Sequence, residues 1–370
     1  MRIAMLGLKG IPATYGGVER YTEEVAVRLA ERGHEILVYC RGHYTTRAIA
    51  RKPYRGVRLV RLPSLNRRVT DTLSHSFVST LDVLRRRPDV AIYHSLGNAL
   101  FAPVPRIQGT PTALVLHGQE WREDKWAGWP RRFFQASERL SLTSASRVCV
   151  IARWLQDDLR TRYGYESTFV STGVTLPDSQ PLARLDTFGL DHRRYLLFVG
   201  RLVPEKEVHT LLAAYRGLET DMPLVIVGNT QRQDRYLDEL HALAGPNVRF
   251  LGFRYGTELA DLYSNAYAYI LPSAAEGIAL TLLEAMAHNN SVVISDIPQN
   301  MEAANPLGFV FKTGDADDLR RVLRLLLDQP DLVAERRARS REHVGKRYDW
   351  EAVTDHYERL CVELTRDKKG

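Results

Sequence analysis

The stretch Tyr267-Ala268-Tyr269-Ile270-Leu271-Pro272-Ser273-Ala274-Ala275-Glu276-Gly277-Ile278-Ala279-Leu280-Thr281-Leu282-Leu283-Glu284-Ala285-Met286-Ala287 carries a strand, a break and a helix in direct succession. Tyr267–Leu271 is a short apolar run stopped by Pro272-Ser273, which reads as a buried strand. The residues from Ala279 or Leu280 to Ala287 predict a helix. A buried strand turning through a polar loop into a helix is the unit of a doubly wound parallel sheet. The loop N–H groups and the helix N-terminus form an anion site that fits a diphosphate. Glu276 in that loop does not suit phosphate alone; it suits hydroxyl groups. Glu284, about one helical turn inside, can reach a second polyol. The competing structural reading is a capped helix with two solvated glutamates.

The same alternation runs the length of the chain. Strands are predicted at Ile3–Leu6, Ile36–Tyr39, Arg58–Arg61, Val90–Tyr93, Ala113–Leu116, Arg147–Ile151 and Thr168–Val170, with helices at Gly17–Arg32, Val69–Arg86 and Trp154–Tyr163. The pattern lapses over Ser171–Arg194 into Thr, Gly, Pro, Asp and Ser, then resumes. The second series has strands at Tyr195–Val199, Leu224–Val227, Arg249–Leu251, Tyr267–Leu271, Val292–Ser295 and Phe309–Phe311. Its helices are Val208–Gly217, Arg235–Ala244, Glu258–Asn265 and Leu280–Ala287. The expected fold is α/β, with two Rossmann-like doubly wound domains, 1–175 and 190–348, facing each other across a cleft. A last helix within 349–370 is expected to pack back towards the first domain. Ligands of such sheets lie at the carboxyl ends of the strands.

Composition narrows the class. The chain has 370 residues, 44% hydrophobic and 26% charged, which suits two globular domains. Its three cysteines, Cys40, Cys149 and Cys361, match no metal spacing and imply a reducing compartment. The opening apolar run is too short for a signal peptide, and no run of about 18 apolar residues occurs. A cytoplasmic location is expected. The net charge of +7 suits nucleic acid, an anionic membrane or a phosphate-bearing small molecule.

Four further motifs carry chemistry. In Val199-Gly200-Arg201-Leu202-Val203-Pro204-Glu205-Lys206, Arg201 and Lys206 follow a strand end and can clamp a pyrophosphate and stabilise the charge on a leaving phosphate. They can equally be surface cations paired with Glu205 and Glu207. The first strand runs into Gly7-Leu8-Lys9-Gly10-Ile11-Pro12-Ala13-Thr14-Tyr15-Gly16-Gly17-Val18-Glu19-Arg20, which is neither a dinucleotide fingerprint nor a P-loop. There Gly16 and Gly17 open a helix and permit close backbone approach to a ligand, or form a plain turn. His117, at the end of the fifth strand, can hydrogen-bond a hydroxyl or serve a structural role. Asp315-Ala316-Asp317 has the look of a metal-holding pair, but a helix follows it, so Asp315 reads as an N-cap. No metal is expected.

Together, Gly16-Gly17, His117, Gly200-Arg201…Lys206 and Glu276 with Glu284 make the chain resemble the retaining GT-B glycosyltransferases of family four over almost its full length. Lys9–Glu19 and Gly118–Trp126 are similar to a narrower subgroup, the β-1,4-rhamnosyltransferases of bacterial surface polysaccharides. The resemblance implies a nucleotide-diphosphate sugar donor, dTDP-L-rhamnose first, and a sugar acceptor that can be lipid-diphosphate-linked. It implies that Arg201 and Lys206 bind the diphosphate, Glu284 the ribose and Glu276 the transferred sugar. The N–H groups of Gly277, Ile278, Ala279, Leu280 and Thr281 complete the cradle, Phe253 and Arg254 flank the base, and His117 with Gly16-Gly17 shapes the reacting face. The leaving phosphate itself deprotonates the acceptor, so neither protein nucleophile nor cofactor is implied. Three departures stand out: His117 where the subgroup tends to have Asp, Ile278-Ala279 for the common Phe-Gly, and Asn289 for a common Gly.

One surface remains. Trp121, Trp126, Trp129, Phe133 and Phe134 interleave with Arg122, Lys125, Arg131 and Arg132, and Arg67-Arg68 and Arg85-Arg86-Arg87 add charge. This predicts either docking on the inner face of an anionic membrane or a core helix with a basic outer face. Nucleic acid accounts for the charge but not for the paired glutamates, so no nucleic-acid partner is expected. A sugar-nucleotide epimerase shares the two-domain plan but not the Arg/Lys/Glu order. A donor-binding scaffold without catalysis is the remaining rival.

Overall fold

The computed structural model describes residues 1–14, 16–65, 70–98, 100–119, 129–177, 185–230 and 235–367. Tyr15, Arg67, Arg68, Glu120, Trp121, Arg122, Lys125 and Trp126 lie outside the described residues, as do the side chains of Trp129, Arg131, Phe133 and Phe134. The chain divides into two compact units, one of Met1–Gly173 and Tyr348 onward, the other of Val174–Arg347.

The first unit holds a parallel sheet of β1 (Arg2–Leu6), β2 (Glu35–Arg41), β3 (Arg58–Leu62), β4 (Val90–His94), β5 (Thr112–Leu116), β6 (Arg147–Val150) and β7 (Thr168–Phe169). Their spatial order is β3-β2-β1-β4-β5-β6-β7. The second unit holds β8 (Leu196–Val199), β9 (Leu224–Val227), β10 (Val248–Gly252), β11 (Ala268–Leu271), β12 (Val292–Ser295) and β13 (Phe309–Phe311), ordered β10-β9-β8-β11-β12-β13. Strands such as Ile3–Leu6 and Leu224–Val227 are apolar at every position and wholly buried. That is what a parallel sheet covered by helices on both faces requires. In both units the chain leaves the first strand one way and later returns on its other side. The crevices therefore open between β1 and β4 and between β8 and β11, at the carboxyl ends.

The second unit contains a helix, Pro330–Arg347, that periodicity does not reveal. Its sequence is mostly charged, and Val333, Ser340 and Val344 are its buried residues. It is anchored instead by polar contacts: Ser291 Oγ donates to the Val333 carbonyl at 2.7 Å and Arg337 Nη2 donates to the Tyr267 carbonyl at 2.7 Å. Asp315 caps the helix Ala316–Asp328, accepting from the N–H groups of Asp317 and Asp318 at 3.1 and 3.0 Å.

The closing helix, Trp350–Asp367, lies on the helix Gly17–Glu31 within the first unit. Trp350, Val353, Tyr357, Leu360, Cys361 and Leu364 are buried. Tyr21 meets Trp350 and Tyr357 with ring centroids at 5.7 and 6.1 Å. A Cβ on Gly173 would stand 2.3 Å from Trp350 Cδ2, so this glycine makes room for the indole. At the rim Arg32 reaches Glu351, Asp355 and Glu358 at 2.7, 2.6 and 3.0 Å. Tyr357→Ala is expected to cost the first unit about 3–5 kcal/mol by opening a cavity. Glu358→Gln, at the half-exposed rim, should cost less than about 1 kcal/mol. Denaturant unfolding of the two variants checks the difference.

Candidate active site

In the second unit the site begins where β8 ends. Gly200 follows Val199, and the close approach of the next strand end demands a glycine there too. Gly228 has φ of +136°, and a Cβ on it would lie 1.8 Å from the Gly200 carbonyl oxygen. After Gly200 the chain makes a short 3-10 turn, Pro204–Lys206, and Glu207 takes the left-handed conformation at φ +53°. The carbonyl of Glu205 in that turn accepts the N–H of Ala274 at 3.0 Å. This bond ties the loop after β8 to the loop after β11, across the crevice of the sheet.

The side chains follow. Lys206 Nζ forms an ion pair with the Glu276 carboxylate, and both are largely buried, at 15% and 7% side-chain exposure. Arg201 is half-exposed and stands 3.9 Å from the buried Glu205 carboxylate. Beyond Glu276 the helix Leu280–Ala287 starts from Ala279, which has no side chain able to cap it. The N–H groups of Leu282 and Leu283 return to the Ala279 carbonyl at 2.9 and 3.2 Å. Those of Leu280 and Thr281 belong to the uncapped first turn, where a helix favours anions. Glu284 accepts from the Tyr263 hydroxyl at 3.2 Å.

One residue links these parts, and the sequence reading leaves it in the core. Tyr269, on β11, is fully buried. Its hydroxyl lies 3.3 Å from the Val199 carbonyl and 2.9 Å from Thr281 Oγ1. Its single proton is shared between these two acceptors, with the threonine oxygen the nearer. Burial raises the Tyr269 phenol far above its ordinary range, and the Glu276 and Glu284 carboxylates raise it further. Both glutamates therefore act on the phenol that joins the end of β8 to the helix start. Asn289, which stands where the family commonly has glycine, adopts φ +54° just past the helix, a conformation asparagine tolerates.

Two models of glycosyltransferase domains match the chain in order. The 4-like domain of glycosyl transferases covers residues 16–170, and glycosyl transferases group 1 covers residues 187–345. The chain belongs to the GT-B glycosyltransferases. A glycogen synthase of Mycobacterium tuberculosis is 27% identical over the whole of this transferase and 96% of its own length. The O-antigen chain mannosyltransferase B of Escherichia coli is 27% identical over 60% of the chain and 62% of its own. Among solved structures, the sucrose-phosphate synthase of Thermosynechococcus elongatus superposes with a TM-score of 0.87 at 20% identity, covering 99% of each chain. Anabaena HepE in complex with UDP-glucose superposes with a TM-score of 0.80 at 16% identity, over 98% of this chain and 100% of its own.

Phe253 and Arg254 lie past the end of β10, two strands from β8 in the same sheet. They follow Gly252 at the end of β10, whose carbonyl accepts the Gly228 N–H at 2.8 Å. Phe253 is half-exposed and stacks beside the exposed Tyr255, a neighbour the sequence reading does not single out, with centroids 6.1 Å apart. Arg254 turns to Glu258 at 3.7 Å and lies over the Phe188 ring at 5.7 Å.

In the first unit of the transferase, Gly16 has φ of +104°, and a Cβ there would lie 2.1 Å from Glu19 Oε2. The close approach is to the protein's own carboxylate. Buried Glu19 accepts the Lys9 N–H at 3.0 Å and so folds the loop after β1; Glu23 likewise accepts the Ala13 N–H at 2.5 Å. His117, just past β5, meets His94 at the end of β4 with Nε2 and Nδ1 2.9 Å apart. The Tyr21 ring stands edge-on to His117 at 4.9 Å. Burial pushes His94 down to about 3, and burial with the neighbouring imidazole holds His117 well below its usual range. Both rings are neutral at pH 7.

One proton lies between the rings, and the buried Nε2 of His94 has no hydrogen-bond partner among the described residues. Leaving a bare ring nitrogen there is cheaper than burying an unmet N–H. His94 Nδ1–H therefore donates to His117 Nε2, and His117 carries its proton on Nδ1. Imidazole nitrogen NMR at pH 7 should find the Nδ1–H form of His117. The sign of the acid effect follows from the depressed values. The unfolded chain takes up protons near pH 6.5 that these rings refuse while folded. Stability should fall as pH drops below about 6.5, by up to about 1.4 kcal/mol per pH unit per ring, until the folded rings titrate. His94→Phe should flatten that slope.

Proposed function

We propose that the second unit binds a nucleotide-diphosphate sugar and that the chain transfers this sugar, with retention of configuration, to an acceptor hydroxyl. The reading is carried by the Lys206–Glu276 pair, set beside an uncapped helix start at the crevice of a Rossmann-like sheet. In the free protein the two side chains neutralise each other. A diphosphate offers Lys206 and Arg201 a stronger anionic partner and frees Glu276 to accept from hydroxyls of the transferred sugar. Glu284 takes the ribose, and the N–H groups of Gly277 through Thr281 face the phosphates.

As the bond from the anomeric carbon to the phosphate oxygen breaks, charge grows on the leaving diphosphate. On this reading Lys206 and Arg201 stabilise it, so two side-chain cations do the work that a metal does elsewhere. The leaving phosphate accepts the proton of the attacking hydroxyl. His117 contributes a neutral Nδ1–H to a substrate oxygen and moves no proton. For the donor, the Lys9–Glu19 and Gly118–Trp126 stretches favour dTDP-L-rhamnose, with a lipid-diphosphate-linked sugar as acceptor. A UDP-hexose is the second reading, supported by the complex of HepE with UDP-glucose.

A thermal-shift panel of dTDP-L-rhamnose, UDP-glucose and GDP-mannose distinguishes these donors, because a ligand at about 100 times its Kd stabilises the native form by about 2.7 kcal/mol. Glu276→Gln should keep nucleotide-driven stabilisation and lower kcat by about 100-fold or more, whereas Lys206→Ala should weaken donor binding as well. Full turnover by Glu276→Gln would defeat the assignment. Donor binding by the wild type without turnover on any acceptor would favour the scaffold.

A further inference from the structure

The helix Thr70–Arg86 in the first unit is inside out. A helix covering a sheet normally turns its apolar stripe inward. Here the buried residues are His75, Ser76, Ser79, Thr80 and Val83, while Phe77 and Leu81, one turn apart, are 53% and 49% exposed. The rotation is fixed by hydrogen bonds on the inner face. Thr80 Oγ1 meets the Tyr93 hydroxyl at 2.9 Å, and Asp82 Oδ2 accepts from the Tyr39 hydroxyl at 3.0 Å. Ser76 donates to Asn98, whose amide in turn donates to the backbone carbonyls of His94 and Gly7. Turning the helix to bury Phe77 would break all of these bonds at the strand ends of the site.

The outward stripe is continued by neighbouring elements. Phe101 packs near Phe77 with centroids 6.5 Å apart, Leu100 is exposed, and Ile107 is 85% exposed. On the other flank, exposed Leu65 is fixed beside the helix by its N–H to Ser74 Oγ at 2.9 Å. Large apolar side chains held outward together mark a surface made to be covered. The charge around them is positive. Arg85 and Arg86 close the helix, exposed Arg87 follows it, and exposed Arg106 precedes Ile107. The helix's own acids turn inward: Asp71 pairs with buried Arg41 at 2.6 Å, and Asp82 pairs with Arg86 and stands 3.9 Å from Arg85, whose side chain stays 80% exposed.

We infer that this face, Phe77, Leu81, Leu100 and Ile107 flanked by Arg85, Arg87 and Arg106, docks on an anionic lipid bilayer. Apolar side chains enter the headgroup boundary while the guanidinium groups meet lipid phosphates. A second copy is the poorer occupant, because a two-fold contact would set the same arginines against each other. The inference is independent of the donor reading, since vesicle binding is measured without turnover.

The test is flotation of the full chain with vesicles of phosphatidylcholine, with and without phosphatidylglycerol. The wild type should float only with the anionic vesicles and detach at high salt. The double variant Phe77→Glu/Leu81→Glu should lower the bound fraction about tenfold or more with an unchanged melting temperature, because both side chains are exposed. Arg85→Gln/Arg87→Gln should reduce the preference for phosphatidylglycerol. Failure of the wild type to float at low salt would overturn the inference, and so would wild-type flotation by the Phe77→Glu/Leu81→Glu variant. A wild-type dimer by light scattering that becomes monomeric in that variant would overturn it too, by assigning the face to a second copy.

Discussion

The second unit is organised around one largely buried ion pair, Lys206 with Glu276. Charges withdrawn from water need excellent geometry to be tolerated, and losing one partner strands the other. That demand fixes the surroundings. The two residues come from loops that follow different strands, so the loops must be held at contact distance. The Ala274-to-Glu205 backbone bond does this from one side, and the Tyr269 phenol does it from beneath. Gly228 lets the strand ends close up behind them. An ammonium has three N–H bonds and a carboxylate several lone-pair sites, so the pair keeps capacity for a polar ligand while remaining mutually satisfied.

The first unit uses the same crevice of the same sheet plan with opposite electrostatics. Where the second unit sets fixed charges, the first sets two imidazoles that burial keeps neutral. A neutral N–H donor can recognise a hydroxyl or carbonyl oxygen without attracting a counter-ion, and its donor pattern is set by the neighbouring ring. The polar network continues outward from there through Asn98 and Ser76 into the helix Thr70–Arg86. The orientation of that helix is thus decided by hydrogen bonds at the strand ends, and its apolar residues take whatever face is left.

Much of this could be read from the chain before any coordinates. Apolar runs separated by helical periods give the two sheets, because parallel strands buried on both faces leave an unmistakable pattern. Arg201, Lys206 and Glu276 could be picked out because charged residues are conspicuous in loops directly after such strands, and Glu284 because it is the one acid in a mostly apolar helix. Tyr269 could not, since a tyrosine inside an apolar strand looks like any other core residue until its hydroxyl is located. The pairing of His94 with His117 depends on two strands lying side by side, which spacing along the chain does not encode. The helix Thr70–Arg86 is visible as a helix, but its pattern of Leu and Phe points the wrong face inward. Pairwise hydrogen bonds to Tyr39, Tyr93 and Asn98 override the hydrophobic period there.

The path of the chain also bears on how the protein is made. It leaves the first unit after Gly173, builds the whole second unit, and returns at Tyr348. Trp350 and Tyr357, on which Tyr21 packs, are therefore synthesised only after the whole second unit. During synthesis the earlier segment must wait with the apolar side of Gly17–Glu31 uncovered, while the middle segment has every strand of its own sheet in hand. The part begun first is thus completed only after the second unit, and a nascent chain stalled short of Trp350 exposes a surface that chaperones recognise.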